Sequence, residues 1–180
     1  MTIEELIKGC IDKNPVAQKE LYETFKGKMM GVCLRYAEDR DEAHDILQNG
    51  FIKVFENLAM FKNAGSFEGW VRRIMVNTAL ENFRKNKAQK QNVDIANVGY
   101  FLKSDNDTGS TINANDLLKM IQQLPVGFRT VFNLFAIEGY SHKEIADMLE
   151  ITEGTSKSQY SRARTHLQEM ILSERKNALT

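Results

Sequence analysis

The chain has 180 residues, enough for one domain or two small ones, and its 42% hydrophobic content can supply real cores. No apolar run is long enough to cross a bilayer, and the N-terminal MTIEELIKGCIDKN carries acids where a signal peptide needs cations, so a cytoplasmic protein without membrane insertion is expected. Twenty-four Lys and Arg balance twenty-four Asp and Glu, which argues against an indiscriminate polyanion binder. That balance conceals an uneven distribution. Residues 1–60 hold eight cations and eleven acids, 71–90 hold six cations and one acid, and 154–168 hold Lys157, Arg162 and Arg164 with no acid. One acidic portion and two basic patches fit a protein that touches nucleic acid at two places. Cys10 and Cys33 lie among apolar residues at helical positions with no CxxC, and read as reduced core thiols. His44, His142 and His166 form no ligand pattern, so neither a metal nor a cofactor is expected.

Strand signals are weak along the whole chain, while apolar residues recur at three and four. A first helix over about 3–12 ends before Asn14-Pro15, where Asn14 can cap a second helix and Pro15 fits its first position. The second helix carries Leu21, Phe25, Met29, Cys33 and Tyr36 on one stripe, and a third, from about Asp41 to Leu58, carries Ile46, Leu47, Phe51, Val54, Phe55 and Leu58. A fourth starts after Ser66, shows Trp70, Val71, Ile74, Met75 and Phe83, and ends in the basic run. Four amphipathic helices with matching stripes predict an all-α N-terminal domain over 1–88. The pattern then dissolves into KQNVDIANVGYFLKSDNDTGST, read as a flexible linker over 89–112, on which Val98, Tyr100, Phe101 and Leu102 could dock. A second helical domain, 113–180, follows with helices over 116–123, from Pro125 to about Ile137, over SHKEIADML, and from Glu153 to Leu172. Gly139 breaks the second of these, and Ser141 with Glu144 three residues on matches a capping box.

The last two helices, joined by a tight turn, have the outline of a helix-turn-helix. Ile145, Ala146 and Leu149 face inward on the first, and Ser156, Tyr160, Ala163, Leu167 and Ile171 trace the inward stripe of the second. That leaves Lys157, Ser158, Ser161, Arg162 and Thr165 outward with Arg164 at the edge, a mixture that can meet both phosphates and base edges. Glu150 stands where such turns commonly have Gly, and Ser156 where they commonly bury an aliphatic residue. A solvated helix of a bundle would show the same local charge run.

Taken together, these motifs resemble the extracytoplasmic function (ECF) group of bacterial RNA polymerase sigma factors over nearly the whole chain. LPVGFRTVFNLFAIEGYSHKEIADMLEITEGTSKSQYSRARTHL is similar to the family's region 4, DEAHDILQNGFIKVFENL to region 2.2, and FKNAGSFEGWVRRIMVNTALENFRKNK to regions 2.3 and 2.4. The resemblance implies two small helical domains joined by a linker, and a transcription initiation factor that is not an enzyme. Its partners would be core RNA polymerase, at the largest-subunit coiled coil and the flap, promoter DNA, and an anti-sigma factor that covers the same surfaces.

Residue by residue, the resemblance implies core-polymerase docking through Asp45, Gln48, Asn49 and Phe51, although Phe51 reads equally as core and Asn49 replaces the family's usual acid. Capture of the −10 element as a single strand would fall to Phe61, Lys62, Asn63, Arg73, Asn77, Arg84 and Lys85, with an unstacked base held near Asn77 and the 61–66 loop. Trp70 is a tempting stacking platform, but its spacing with Ile74 favours core packing. Glu81 stands where Asp is common. The −35 element would be read by Thr155, Lys157, Ser158, Ser161, Arg162 and Arg164, on a surface where Gln159 replaces a frequent cation.

Three other readings separate from this one by simple criteria. A stand-alone helix-turn-helix regulator would bind duplex DNA tightly without polymerase and would need a dimer to present paired half-sites. An enzyme would need a motif that is missing: GxxxxGK[ST], GxGxxG and GxSxG do not occur. A protein-interaction module would bury or neutralise both basic patches.

Overall fold

The computed structural model describes residues 1–62, 64–91 and 113–177. The chain divides into two compact units, Met1–Gln89 and Lys90–Thr180, and all the regular elements among the described residues are helical. Asn63 and the stretch 92–112, with the docking residues expected there, lie outside the described residues.

In the first unit the helices start where side chains can satisfy the free amides of a first turn. Helix α1 (Ile3–Ile11) opens with a Thr2–Glu5 capping box, and α2 (Pro15–Tyr36) with Asn14, whose Oδ1 accepts from Val16 N at 2.9 Å. Helix α3 (Arg40–Asn57) is capped by Asp39, which accepts from Glu42 N at 2.8 Å, and runs into a 3-10 turn at Leu58–Met60. Helix α4 (Phe67–Gln91) opens with Ser66 Oγ accepting from Gly69 N at 3.0 Å. It extends to Gln91, into the stretch read from sequence as linker.

The stripes close on one another as their spacing requires. Leu21, Phe25, Met29, Cys33, Ile46, Leu47, Phe51, Val54, Leu58, Val71 and Met75 are all buried. Gly50 is the close-approach point, because a Cβ there would lie 2.3 Å from Met75 Sδ. Cys10 and Cys33 are free and buried, and burial pushes the Cys33 thiol up to about 12.

The second unit contains α5 (Ala114–Gln123), α6 (Val126–Phe132), α7 (His142–Leu149) and α8 (Glu153–Asn177). An Asn113–Asp116 capping box, not anticipated from sequence, starts α5. The expected single helix to Ile137 changes character at Asn133, where the coil widens into a π-helical turn over Asn133–Ile137. Glu138 N there reaches Asn133 O at 2.9 Å, and Gly139, at φ +79°, lets the chain leave. Met120, Ile121, Leu124, Ala163 and Leu167 form the core, with Phe128, Phe132, Met170 and Ile171 packed against it. Arg129 is buried, and its Nη1 donates to Gln122 O at 2.8 Å, which fastens the α5–α6 turn.

Candidate nucleic-acid interface

The turn between α7 and α8 sets the angle of the basic helix. The expected capping box is present: Ser141 Oγ accepts from Glu144 N at 3.2 Å, and Glu144 Oε2 accepts from Ser141 N at 2.8 Å. These bonds to Ser141, the backbone one first, hold the Glu144 carboxyl below its ordinary value. At the other end Glu150 takes the left-handed conformation, φ 55° and ψ 46°, that glycine serves in similar turns. Ile151 N then returns to Ala146 O at 3.0 Å. The turn therefore keeps its geometry without glycine, at the steric cost of a Cβ in that region.

Ser156, the other departure noted in the sequence, is completely buried, and its Oγ shares a 2.9 Å hydrogen bond with His142 Nδ1. A polar pair thus replaces an aliphatic contact between the first turn of α7 and the start of α8. The His142 ring stacks on Phe135 (4.2 Å between centroids, 12° between planes), and Tyr160 closes on both at 4.5 Å and 5.8 Å. Phe135 lies on the widened turn at 133–137, and its stack on His142 joins that turn to the start of α7.

With Ser156, Ala163 and Leu167 buried and Tyr160 half-buried, the opposite side of α8 is open. Lys157, Ser158, Ser161, Arg162, Arg164 and Thr165 are exposed there. Two residues of this face have partners of their own. Lys157 Nζ pairs with Glu153 Oε1 at 2.9 Å, one turn back, which holds the Glu153 carboxyl below its ordinary value. Thr155 is half-buried, with its hydroxyl bonded to Thr152 Oγ1 at 2.8 Å, so it helps start the helix. The Arg164 guanidinium sits 5.9 Å from the Tyr160 ring centroid, at the edge of the face.

In the first unit, Arg73, Asn77, Arg84 and Lys85 are exposed on α4. At 3.6 residues per turn, Arg73, Asn77 and Arg84 share one side. Beside the helix start, Phe61, Phe67 and Trp70 form an aromatic cluster with centroid separations of 5.2 to 5.6 Å. Trp70 is therefore half-buried against other rings, which fits the packing reading better than a free platform. Lys62 is exposed, and Asn63 lies outside the described residues.

On α3, Asp45, Gln48 and Asn49 are exposed on one side. Phe51 is 3% exposed and meets Tyr22 edge-on at 4.7 Å, so its side chain belongs to the core and is withdrawn from the docking face. The same side of α3 presents Ile52, 54% exposed, which sequence reading missed because it continues the polar i, i+4, i+7 pattern rather than the apolar one. Asn49 and Ile52 border a groove between α3 and α4 whose opposite wall includes Glu81 and Lys85. Among the described residues, no helix is long and apolar enough to cross a membrane.

Comparison with known proteins gives this arrangement a family. The sigma-70 region 2 model matches residues 21–89 and the sigma-70 region 4 model matches residues 114–167. The chain is 30% identical over 151 residues to the RNA polymerase sigma-H factor of Pseudomonas aeruginosa, covering 78% of each protein. It is 26% identical to the ECF RNA polymerase sigma-E factor of Haemophilus influenzae, covering 95% of this chain and 96% of that one. With the ECF sigma factor SigW of Bacillus subtilis the identity is 28%, covering 95% and 97%. In fold, it is similar to the sigma factor RpoE of Bartonella quintana, solved with the anti-sigma factor NepR, at a TM-score of 0.51 and 23% identity over 85% of this chain and 95% of that one. The chain belongs to the ECF group of RNA polymerase sigma factors, which are transcription initiation factors rather than enzymes.

Proposed function

We propose that this sigma factor divides promoter recognition between its two basic helices. Helix α8 enters the major groove at the −35 element, with Arg162, Lys157 and Arg164 on phosphates and base edges, Ser158 and Ser161 within reach of bases, and Thr155 at its start. Helix α4 and the 61–66 loop take the −10 element as a single strand, through Phe61, Lys62, Asn63, Arg73, Asn77, Arg84 and Lys85. Asp45, Gln48 and Asn49, joined by Ile52, dock on core polymerase at its largest-subunit coiled coil, while the C-terminal domain meets the flap. The functional domains run over 1–88 and 113–180, with 89–112 as linker.

The observation that carries this reading is the two-sidedness of α8: Ser156, Ala163 and Leu167 buried on one side, Lys157, Ser161 and Arg162 exposed on the other. A linked pair of modest contacts gains affinity because the second forms at high effective concentration. The neutral free chain therefore binds DNA weakly and acts only when polymerase holds both domains in register. The chain catalyses no covalent step and works in the cytoplasm beside the polymerase. The complex of the Bartonella relative with an anti-sigma factor supports a similar inhibitor for this chain.

Reconstitution with core polymerase tests the reading. Run-off transcription followed by sequencing of transcript 5′ ends is expected to give defined start sites that share two upstream motifs. Start sites no different from core polymerase alone would overturn it. Asp45→Arg is expected to lower capture of core polymerase, and equal capture of both proteins would remove α3 from the docking surface.

A further inference from the structure

Helix α4 is anchored unevenly. Through Leu80 it is rooted in the core by Val71, Met75, Val76, Thr78, Ala79 and Leu80. From Glu81 to Gln89 no side chain is buried, and Phe83 is only half-buried. This outer part carries Arg84, Lys85 and Lys87. A helix end with little apolar burial opens easily unless other contacts hold it.

Beside the Lys53–Glu81 ion pair at its start, this outer part is held by one carboxylate of α3. Glu42 Oε1 accepts from Asn82 Nδ2 at 2.6 Å and from Asn86 Nδ2 at 2.8 Å, across forty and forty-four residues of chain. The carboxylate is itself fixed. Its Oε2 accepts from Glu38 N at 2.5 Å, while the Glu42 amide donates to Asp39 Oδ1 at 2.8 Å. An ionised carboxylate only accepts, so the two asparagine amides must present their N–H groups, which removes any ambiguity of orientation. All three side chains are half-buried, where such bonds compete less with water.

Helical geometry separates this clamp from the DNA face. Asn82 and Asn86 lie about half a turn from Arg73, Asn77 and Arg84, so the side that ties α4 down is opposite those three residues, while Lys85 borders the α3–α4 groove beside Asn82. Asp45 is one turn along α3 from Glu42, so the clamp also joins the proposed docking helix to the proposed reading helix. We propose that Glu42, through Asn82 and Asn86, is a positioning residue that holds the basic outer turns of α4 in register for capture of the −10 strand. This rests on the reading of α4 as the −10 helix.

The test uses reconstituted holoenzyme and a fork-junction DNA whose single-stranded −10 segment comes from a mapped start site. Asn82→Ala with Asn86→Ala keeps every charge of the chain. It is expected to weaken fork binding about fivefold while core affinity and the dependence on salt stay as in the parent. Arg84→Ala with Lys85→Ala is expected to weaken binding and also flatten the salt dependence, by about one unit of slope per lost cation. Adding Glu42→Ala to the double asparagine variant is expected to cost fork binding nothing further at equal folded fraction, while loss of the Glu42–Glu38 bond is read separately in the melting temperature. Unchanged fork binding in the asparagine variant, with weakened binding in the Arg84 and Lys85 variant, overturns the clamp and leaves the reading of α4 intact. No effect from either variant overturns both. An additive loss of fork binding with Glu42→Ala at an unchanged melting temperature would mean that the three residues do not act through one contact, which also refutes the inference. Should the double variant unfold, Asn86→Ala alone is followed by hydrogen exchange, with the amides of residues 84–88 expected to exchange at least several-fold faster and equal rates counting against the clamp.

Discussion

Helices α4 and α8 each end up presenting cations to solvent, but they are held in opposite ways. Along α8 the exposed residues Lys157 to Arg164 run parallel to a buried stripe of Ser156, Ala163 and Leu167, so every turn that reads is also a turn that packs. On α4 Arg73 and Asn77 share turns with buried residues, but Arg84 and Lys85 lie beyond the last buried residue, Leu80. The difference matches the two proposed targets. A helix in the major groove of a stiff duplex must be rigid along its length, whereas a single strand can follow the protein surface. The outer turns of α4 can therefore rely on a few hydrogen bonds, while α8 needs an apolar core beneath it.

The largest expected effect strikes the packed side of α8. Leu167→Ala should lower the stability of the C-terminal unit by about 2 to 5 kcal/mol, measured by calorimetry of the full chain. A loss well below 1 kcal/mol would break the comparison, since α8 would then not depend on its stripe. Next, Arg162→Ala should weaken promoter binding by roughly 1 to 3 kcal/mol without lowering the melting temperature. Unchanged run-off transcription would take that arginine out of the interface. A smaller effect of opposite sign is expected at the turn: Glu150→Gly should stabilise the C-terminal unit by about 1 kcal/mol, because glycine accepts the left-handed conformation without a Cβ clash.

The smallest effect near neutral pH concerns the core beneath α4. The buried Cys33 thiol is raised from 9.0 to about 12. In the unfolded chain the thiol ionises first, so stability contributed by keeping Cys33 neutral is complete below 9.0 and is lost as pH rises from there towards 12. Alkylation at pH 8 should accordingly be negligible at Cys33 in the native protein and rapid in denaturant. Fast native alkylation would show that the bundle supporting α4 opens readily.

What could be read in advance follows from range. Asn14-Pro15, Ser66 and the Ser141–Glu144 box are contacts within four residues, and each marks a helix start that the structure shows. The apolar stripes are also local in spacing, so the all-α class and most core residues were legible. The Glu42 clamp was not, because Asn82 and Asn86 become its partners only after α3 and α4 pack. The His142–Ser156 pair escaped for the same reason, and it turns an apparent departure at Ser156 into a satisfied contact. The stack of Phe135 on His142 likewise forms only when the widened turn at 133–137 meets α7. Among candidate site residues, periodicity indicates the outward face of α8 and the resemblance indicates that of α4, whereas Phe51, which reads equally as docking residue and as core, lies in the core.

The central claim is that two basic helices read two separate promoter elements, and footprinting of holoenzyme on one mapped promoter tests it most directly. Arg162→Ala should lose protection at the −35 element while permanganate reactivity at the −10 element persists once the complex is driven by excess protein. Arg84→Ala with Lys85→Ala should keep −35 protection and lose the permanganate signal. If either variant abolished both signals together, or if neither changed its own, the division of labour between α8 and α4 would be contradicted.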